Sequence, residues 1–361
     1  MGLLHIVVSF LVACAFVATI TPVVRKYALR WRLGAKPNGR KVSTSSIPHV
    51  GGIGMFLGTV LSVMVVGLVF GEAANGAVSF LAKLAIPVSL IVALGLTDDT
   101  KNLKAGQKLT IQILSSVVLA LVGFHLLTGI GLFDQSWLFV ILLTTFYLVG
   151  ISSSVNLVDG LDGLAAGLSL ISAATFAVLG VMFASTPVIA VSVAVSGACL
   201  GFLVYNFPPA KIYMGDTGSM FLGIMLGVIA CSFTMLQPAI NTFFGVFFIL
   251  AIPIVDSWLA IVRRLILRTP VFRADSLHVH HVLSLFGFSP RQVLGILYCM
   301  QALMALLGIL TVKGLIVPLI LGLVIVTIMF LSFIKIMVAS KERTGSVAAK
   351  FTHNSIPSLE K

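Results

Sequence analysis

The sequence predicts an all-α, polytopic membrane protein with about eleven transmembrane helices, the N-terminus outside and the C-terminus cytoplasmic. Three observations predict it. Of 361 residues, 59% are hydrophobic and only 9% charged, against about 25% charged in soluble domains, and mean hydropathy is +1.14. Apolar stretches near the ~20 residues that cross a bilayer as a helix recur along the whole chain. The positive charges fall between alternate stretches. No basic segment precedes the first stretch, so it reads as a helix and not as a cleavable signal.

The stretches are 3–22, 50–70, 80–97, 108–127, 137–153, 164–183, 188–206, 217–236, 242–262, 291–312 and 315–336. The first ends at Arg25-Lys26, and the second opens after a glycine pair. The third closes on Asp98-Asp99, and the fourth starts at Lys108. The fifth runs out in "SSSVN". Only "ASTP" parts the sixth from the seventh, which stops at Pro208-Pro209, where the missing N–H and fixed φ end a helix. The eighth follows "GDTGS", the ninth ends at Arg263-Arg264, and Lys313-Gly314 parts the last two. Loops after the odd-numbered stretches, with the tail, are placed in the cytoplasm. Of 23 Lys and Arg, only Lys83 and Lys313 then fall outside. Topology and anionic lipid thus account for the net charge of +12, and no nucleic-acid module is in view. The four cysteines lie in apolar runs without metal spacing and read as packing residues. The result is one membrane domain over 1–336, with cytoplasmic loops 97–108, 153–163, 207–219 and 263–291. A flexible cytoplasmic tail, 337–361, follows.

Of eleven acids, only Glu72 and Asp134 face out by this topology. The rest gather at the inner ends of different helices, which points to function, because ionisable groups at membrane depth are costly. "GLTDDTKNLKAGQK" carries Asp98 and Asp99, whose mutual repulsion calls for a cation. Mg²⁺, held by one or two carboxylates plus substrate phosphate, suits them. "NLVDGLDGLAAG" places Asn156, Asp159 and Asp162 at i, i+3, i+6, a stripe on one helical face. "NFPPAKIYMGDTGS" brings Lys211 and then a Gly-rich turn at a helix start, whose free N–H groups suit phosphate. Asp216 there reads as an N-cap, a metal ligand or both. "RRLILRTPVFRADSLHVHH" sets His278, His280 and His281 after Arg263 and Arg264. No zinc spacing completes them. They read as a cationic, hydrogen-bonding patch for an anionic substrate. Carboxylates, a phosphate cradle and an Arg/His loop at one membrane face suit phosphoryl transfer to a lipid phosphate. A proton- or cation-coupled secondary transporter is the rival from another class, but no internal repeat supports it.

The four motifs, in order over roughly residues 20 to 310, resemble the polyprenyl-phosphate N-acetylhexosamine-1-phosphate transferases. The nearest subgroup is the undecaprenyl-phosphate N-acetylglucosamine-1-phosphate transferases. The resemblance implies transfer of N-acetylglucosamine 1-phosphate from UDP-GlcNAc to undecaprenyl phosphate, with release of UMP and a need for Mg²⁺ or Mn²⁺. It implies a cytoplasmic-membrane location, the first membrane step of a cell-envelope polysaccharide or teichoic acid pathway, and a homodimer as a permitted assembly. It makes Asp98 the base for the lipid phosphate, Asp99 its acidic partner and Asp216 the metal ligand, with Asp99 counted beside it. Asn156, Asp159 and Asp162 match the nucleotide-sugar and catalytic cluster. Lys108 matches a basic position after the acidic pair, Arg263 and Arg264 a sugar-nucleotide contact, and His278, His280 and His281 the histidine motif; Lys211 is counted with the substrate-binding residues. Relatives that transfer phospho-N-acetylmuramoyl-pentapeptide, the alternative substrate, carry three consecutive histidines; Val279 breaks that run. His49 stands where many relatives have Arg, and Ser43 near where many have His, so the first loop carries no role from the resemblance.

Overall fold

Residues 2–31, 47–71, 75–126, 136–266 and 278–332, with Arg268 and Lys335, are described by the computed structural model. The tail, Arg273, Asp275 and the first-loop position Ser43 lie outside the described residues. Within them the regular elements are all helices.

The chain runs through α1 (Leu3–Arg30), α2 (Gly52–Phe70), α3 (Asn75–Lys101), α4 (Ala105–Leu121), α5 (Trp137–Val158), α6 (Leu164–Met182) and α7 (Thr186–Asn206). There follow α8 (Gly215–Leu236), α9 (Ile240–Ile249), α10 (Ala251–Ile266), α11 (Val279–Leu285) and α12 (Pro290–Val312), then α13 (Ile316–Ser332). Helices cover all eleven apolar stretches, but with unequal reach. Eight are long and apolar enough to cross a membrane: α1, α2, α3, α5, α6, α7, α8 and α12. The ninth stretch is the pair α9–α10, bent by 81°, which makes nine if counted as one span. α4 and α13 are apolar but shorter. The 17 residues of α4, at 1.5 Å each, reach about 25 Å against a ~30 Å hydrocarbon core. Eleven apolar stretches are therefore not eleven equivalent spans.

α7 and α8 are the most enclosed helices. α8 is flanked by α5, α3, α2 and α6. Lipid tails are as apolar as leucine, so close packing of small residues draws such helices together. The contacts at the N-terminal end of α8 are of this kind. A Cβ on Gly52 of α2 would lie 2.1 Å from the Gly218 nitrogen, and one on Gly95 of α3 would lie 2.4 Å from the Thr217 Cα. Two bare backbones thus grip the first turn of α8, and the acidic residues beside it inherit that placement.

Candidate active site

α3 unwinds just after the acid pair. Asn102 has φ +53°, and Leu103 N–H donates to Asp98 Oδ1 at 2.6 Å. The turn brings Lys108, one turn into α4, back over the acids. Its ammonium pairs with Asp98 and, at 2.8 Å, with Asp216 Oδ2. One lysine thus bridges two motifs 108 residues apart.

Asp99 points the other way, into the start of α8. It accepts from Asp216 N–H at 2.8 Å, Thr217 N–H at 3.1 Å and Thr217 Oγ1 at 2.6 Å. It caps α8 from a neighbouring helix, where a negative charge meets the positive end of the dipole. Gly215 makes this possible: its φ is +71°, and a Cβ would lie 2.5 Å from Asp99 Oδ2. Two expectations are corrected here. The N–H groups expected to cradle phosphate are occupied by Asp99, and Asp216 is not the N-cap, so its carboxylate is turned to Lys108. The ligand role expected of Asp99 meets a carboxylate with both oxygens engaged.

The expected stripe Asn156–Asp159–Asp162 is also corrected. α5 ends at Val158; Asp159 is its C-cap, with ψ +42°. Gly160 and Gly163 follow in the turn, so only Asn156 is helical. Asp162 accepts from Ala210 N–H at 2.9 Å and ties this turn to the loop after α7. The Asp159 N–H donates to Asn156 O at 3.3 Å, but its carboxyl makes no hydrogen bond among the described residues. Enclosure of the site raises its pKa well above the ordinary carboxylate range, and the charges of Asp216, Asp99 and Asp162 add to the effect. Those neighbours show that the turn faces the acids on α3 and α8.

Two residues that sequence reasoning passed over hold the turn. Asn206, at the end of α7, accepts from Gly163 N–H at 2.9 Å and donates to Ile212 O at 2.9 Å. Tyr298 of α12 donates to Gly163 O at 2.6 Å. The end of the first loop also reaches the site. Tyr213 N–H donates to Pro48 O at 2.8 Å, and the His49 ring lies 4.8 Å from that of Tyr213. Only the glycine pair at 51–52 hinted at this approach. Lys211 is exposed, and its ammonium makes no ion pair among the described residues; Arg25 Nε donates to its carbonyl at 2.9 Å.

The histidine motif is pinned by Asp256, a buried residue of α10. His278 Nδ1 lies 2.7 Å from Asp256 Oδ2, and Val279 N–H donates to Oδ1 at 2.8 Å. The His280 ring packs on Gly160, where a Cβ would lie 2.7 Å from Nε2, so motifs 120 residues apart meet. His281 follows, its ring 4.1 Å from that of His280. Burial, with the neighbouring His281 and His278, pushes the His280 pKa down to about 4, and burial lowers His281 as well. This corrects the expected cationic patch: at neutral pH these two rings are uncharged. Their His280 Nε2 and His281 Nδ1 atoms are buried without a partner among the described residues. Arg263 and Arg264, on the last turns of α10, are buried too.

An apolar groove of about 770 Å³ runs beside this cluster between α4, α5 and the bent α9–α10 pair. Leu109 and Leu157 line it near Lys108 and Asp159, and Phe243 and Phe247 line it farther along. No three His, Cys, Asp or Glu side chains among the described residues form a ready metal cage. A magnesium ion needs only one or two carboxylates when a substrate supplies phosphate oxygens. Asp98 and Asp216 share one lysine, and the Asp159 carboxyl, without a hydrogen-bond partner among the described residues, lies within electrostatic reach of Asp216. That excess of carboxylate fits a hard divalent cation.

The glycosyl transferase family 4 model matches residues 81–234. The chain is similar to a probable undecaprenyl-phosphate N-acetylglucosaminyl 1-phosphate transferase of Bacillus subtilis (strain 168), 34% identical over 97% of this chain and 95% of the relative. It is 35% identical to a decaprenyl-phosphate N-acetylglucosaminephosphotransferase of Mycolicibacterium smegmatis, over 78% of this chain and 76% of that one. It is 32% identical to a phospho-N-acetylmuramoyl-pentapeptide-transferase of Desulforudis audaxviator, over 85% and 97%.

Proposed function

Because this chain belongs to glycosyl transferase family 4, we propose that it transfers N-acetylglucosamine 1-phosphate from UDP-GlcNAc to undecaprenyl phosphate, with UMP as the other product. The observation that carries this is the meeting of an acid cluster with an apolar groove. Asp98 and Asp216 pair with Lys108, Asp159 lies within electrostatic reach of Asp216, and Leu109 and Leu157, next to this cluster in the chain, line the groove. A prenyl chain fits the groove, and its phosphate then lies at Lys108. Relatives named for undecaprenyl- and decaprenyl-phosphate acceptors support a polyprenyl substrate. Val279, which interrupts the histidines, favours GlcNAc over the pentapeptide-bearing sugar.

An oxygen of the lipid phosphate attacks the phosphorus that carries GlcNAc. The bond from that phosphorus to the bridging oxygen breaks, and UMP leaves with that oxygen. A phosphate monoester has a second pKa near 6, so any remaining proton is readily lost. Asp98 takes it, while Lys108 draws the phosphate to the same spot. Asp99 holds the first turn of α8 in place. Asn156, Asp159 and Asp162 face the nucleotide sugar, with His280 and His281 as neutral hydrogen-bonding partners and Arg263 and Arg264 as the charges for its phosphates. Mg²⁺, or Mn²⁺, on Asp216 with Asp98 would neutralise charge on the pyrophosphate. The same reading sets the site on the cytoplasmic face of the bacterial inner membrane, because the basic loops lie with it.

Purified protein given UDP-GlcNAc, undecaprenyl phosphate and Mg²⁺ is expected to release UMP. Release should stop with EDTA and return with added Mg²⁺. Asp216→Asn should lose ~100-fold or more in kcat, as expected when charge stabilisation at a reacting phosphate is removed. No UMP from folded protein, across a panel of UDP-sugars, would exclude the activity.

A further inference from the structure

α9 and α10 belong to one apolar run, yet the chain turns through 81° between them. Such a turn breaks the helical ladder and leaves buried polar groups that the helices themselves do not satisfy. Ile249 O and Ile252 N–H are two of these groups, and Pro253 has no N–H to offer. Both come to be bonded from other helices. Ser172 of α6 donates its hydroxyl to Ile249 O at 2.8 Å. Gln301 of α12 donates from Nε2 to the same carbonyl and, at 3.1 Å, to Ser172 Oγ. Its Oε1 accepts from Ile252 N–H at 3.4 Å. Gln301 is fully buried, and its amide stands in the gap between the helices as a peptide group would.

α10 leaves this clamp and one turn later presents Asp256, whose two oxygens hold His278 and the Val279 N–H. Ile254, Ser257, Trp258 and Ile261 of the same helix line the apolar groove. The direction of α10 therefore sets both the histidine loop and a groove wall. We propose that Gln301, with Ser172, is a positioning residue for the transfer reaction: it fixes the α9–α10 bend and acts on the histidine loop through Asp256. The role rests on the transferase reading, since it is the histidine loop of that site which Gln301 orients.

Two readouts test it: UMP release, and hydrogen–deuterium exchange of the full-length protein in detergent. Gln301→Leu should lower kcat about 10- to 100-fold, the range expected when reacting groups shift by about 1 Å. Exchange should rise over 279–285 while 293–300 in α12 stays protected. Combined with Asp256→Asn, it should add little to the loss from Asp256→Asn alone, because both act on one loop. If Gln301→Leu does not fold, Ser172→Ala removes one donor from the same carbonyl and should show a smaller change with the same pattern. Wild-type kcat in the variant, exchange that rises only in α12, or losses that multiply in the double variant would each overturn the proposal. Wild-type protein that releases no UMP defeats the transferase reading instead, and the exchange pattern still decides the clamp.

Discussion

Asp98 and Asp99 are neighbours with different surroundings. Asp98 meets a lysine and the open site; Asp99 meets two backbone N–H groups and a hydroxyl of another helix. Asp99→Ala leaves those donors buried without partners, at a cost of about 1–3 kcal/mol each. The expected result is a lower unfolding midpoint and little folded protein, whereas Asp216→Asn should fold normally and fail in turnover. His280 gives the pH dependence at this scale. Its pKa near 4 lies below the free value of 6.5, so the unfolded chain binds the proton first as pH falls. Its contribution is complete above about pH 6.5 and is lost towards pH 4, roughly 2 kcal/mol of it by pH 5. Thermal unfolding of wild type and His280→Phe at pH 7 and pH 5 should show the variant less sensitive to acid; equal sensitivity would remove His280 as the cause.

At the scale of elements, the site is made where bare backbones cross. Gly95→Ala would set a methyl against Thr217, and such overpacking costs about 1–3 kcal/mol. Activity should fall further than stability, because the displaced turn carries Asp216; an unchanged kcat would separate the crossing from the site. The sequence displayed the helices well, because each is an apolar run closed by Pro, Gly or charge. It displayed the four motifs too, since charges stand out in such a chain. It hid how far each helix extends and where it bends. The 81° turn at Leu250 lies inside an unbroken apolar run, and its partners Ser172 and Gln301 are 77 and 52 residues away from Ile249. It also hid the division of labour within "DD", because a cap supplied from another helix leaves no local spacing to read. The stripe at Asn156, Asp159 and Asp162 looked helical only because its period fits one. Gly160 within it and Gly163 just after it had the stronger effect.

For the whole molecule, the arrangement matters through its two sides. The charge distribution of the sequence predicts that the basic loops and the acid cluster share one side, with Lys83 and Lys313 on the other. Cysteines placed at 83 or 313 in a chain otherwise free of cysteine should react with an impermeant thiol reagent in intact cells. One at the exposed position 211 should react only after the membrane is opened, and the reverse pattern would invert the orientation. In the proposed reaction the apolar groove beside the site would admit the lipid substrate from the membrane, and the nucleotide sugar would come from water.

The bracket that Asp99 forms on α8 bears on how variants of this chain are to be scored. A survey of substitutions ranked by activity alone would place Asp98 and Asp99 together, as two positions that tolerate nothing. Ranked by cellular abundance as well, they should part: substitutions at Asp98 leave an inert protein present in the membrane, and those at Asp99 leave little protein at all.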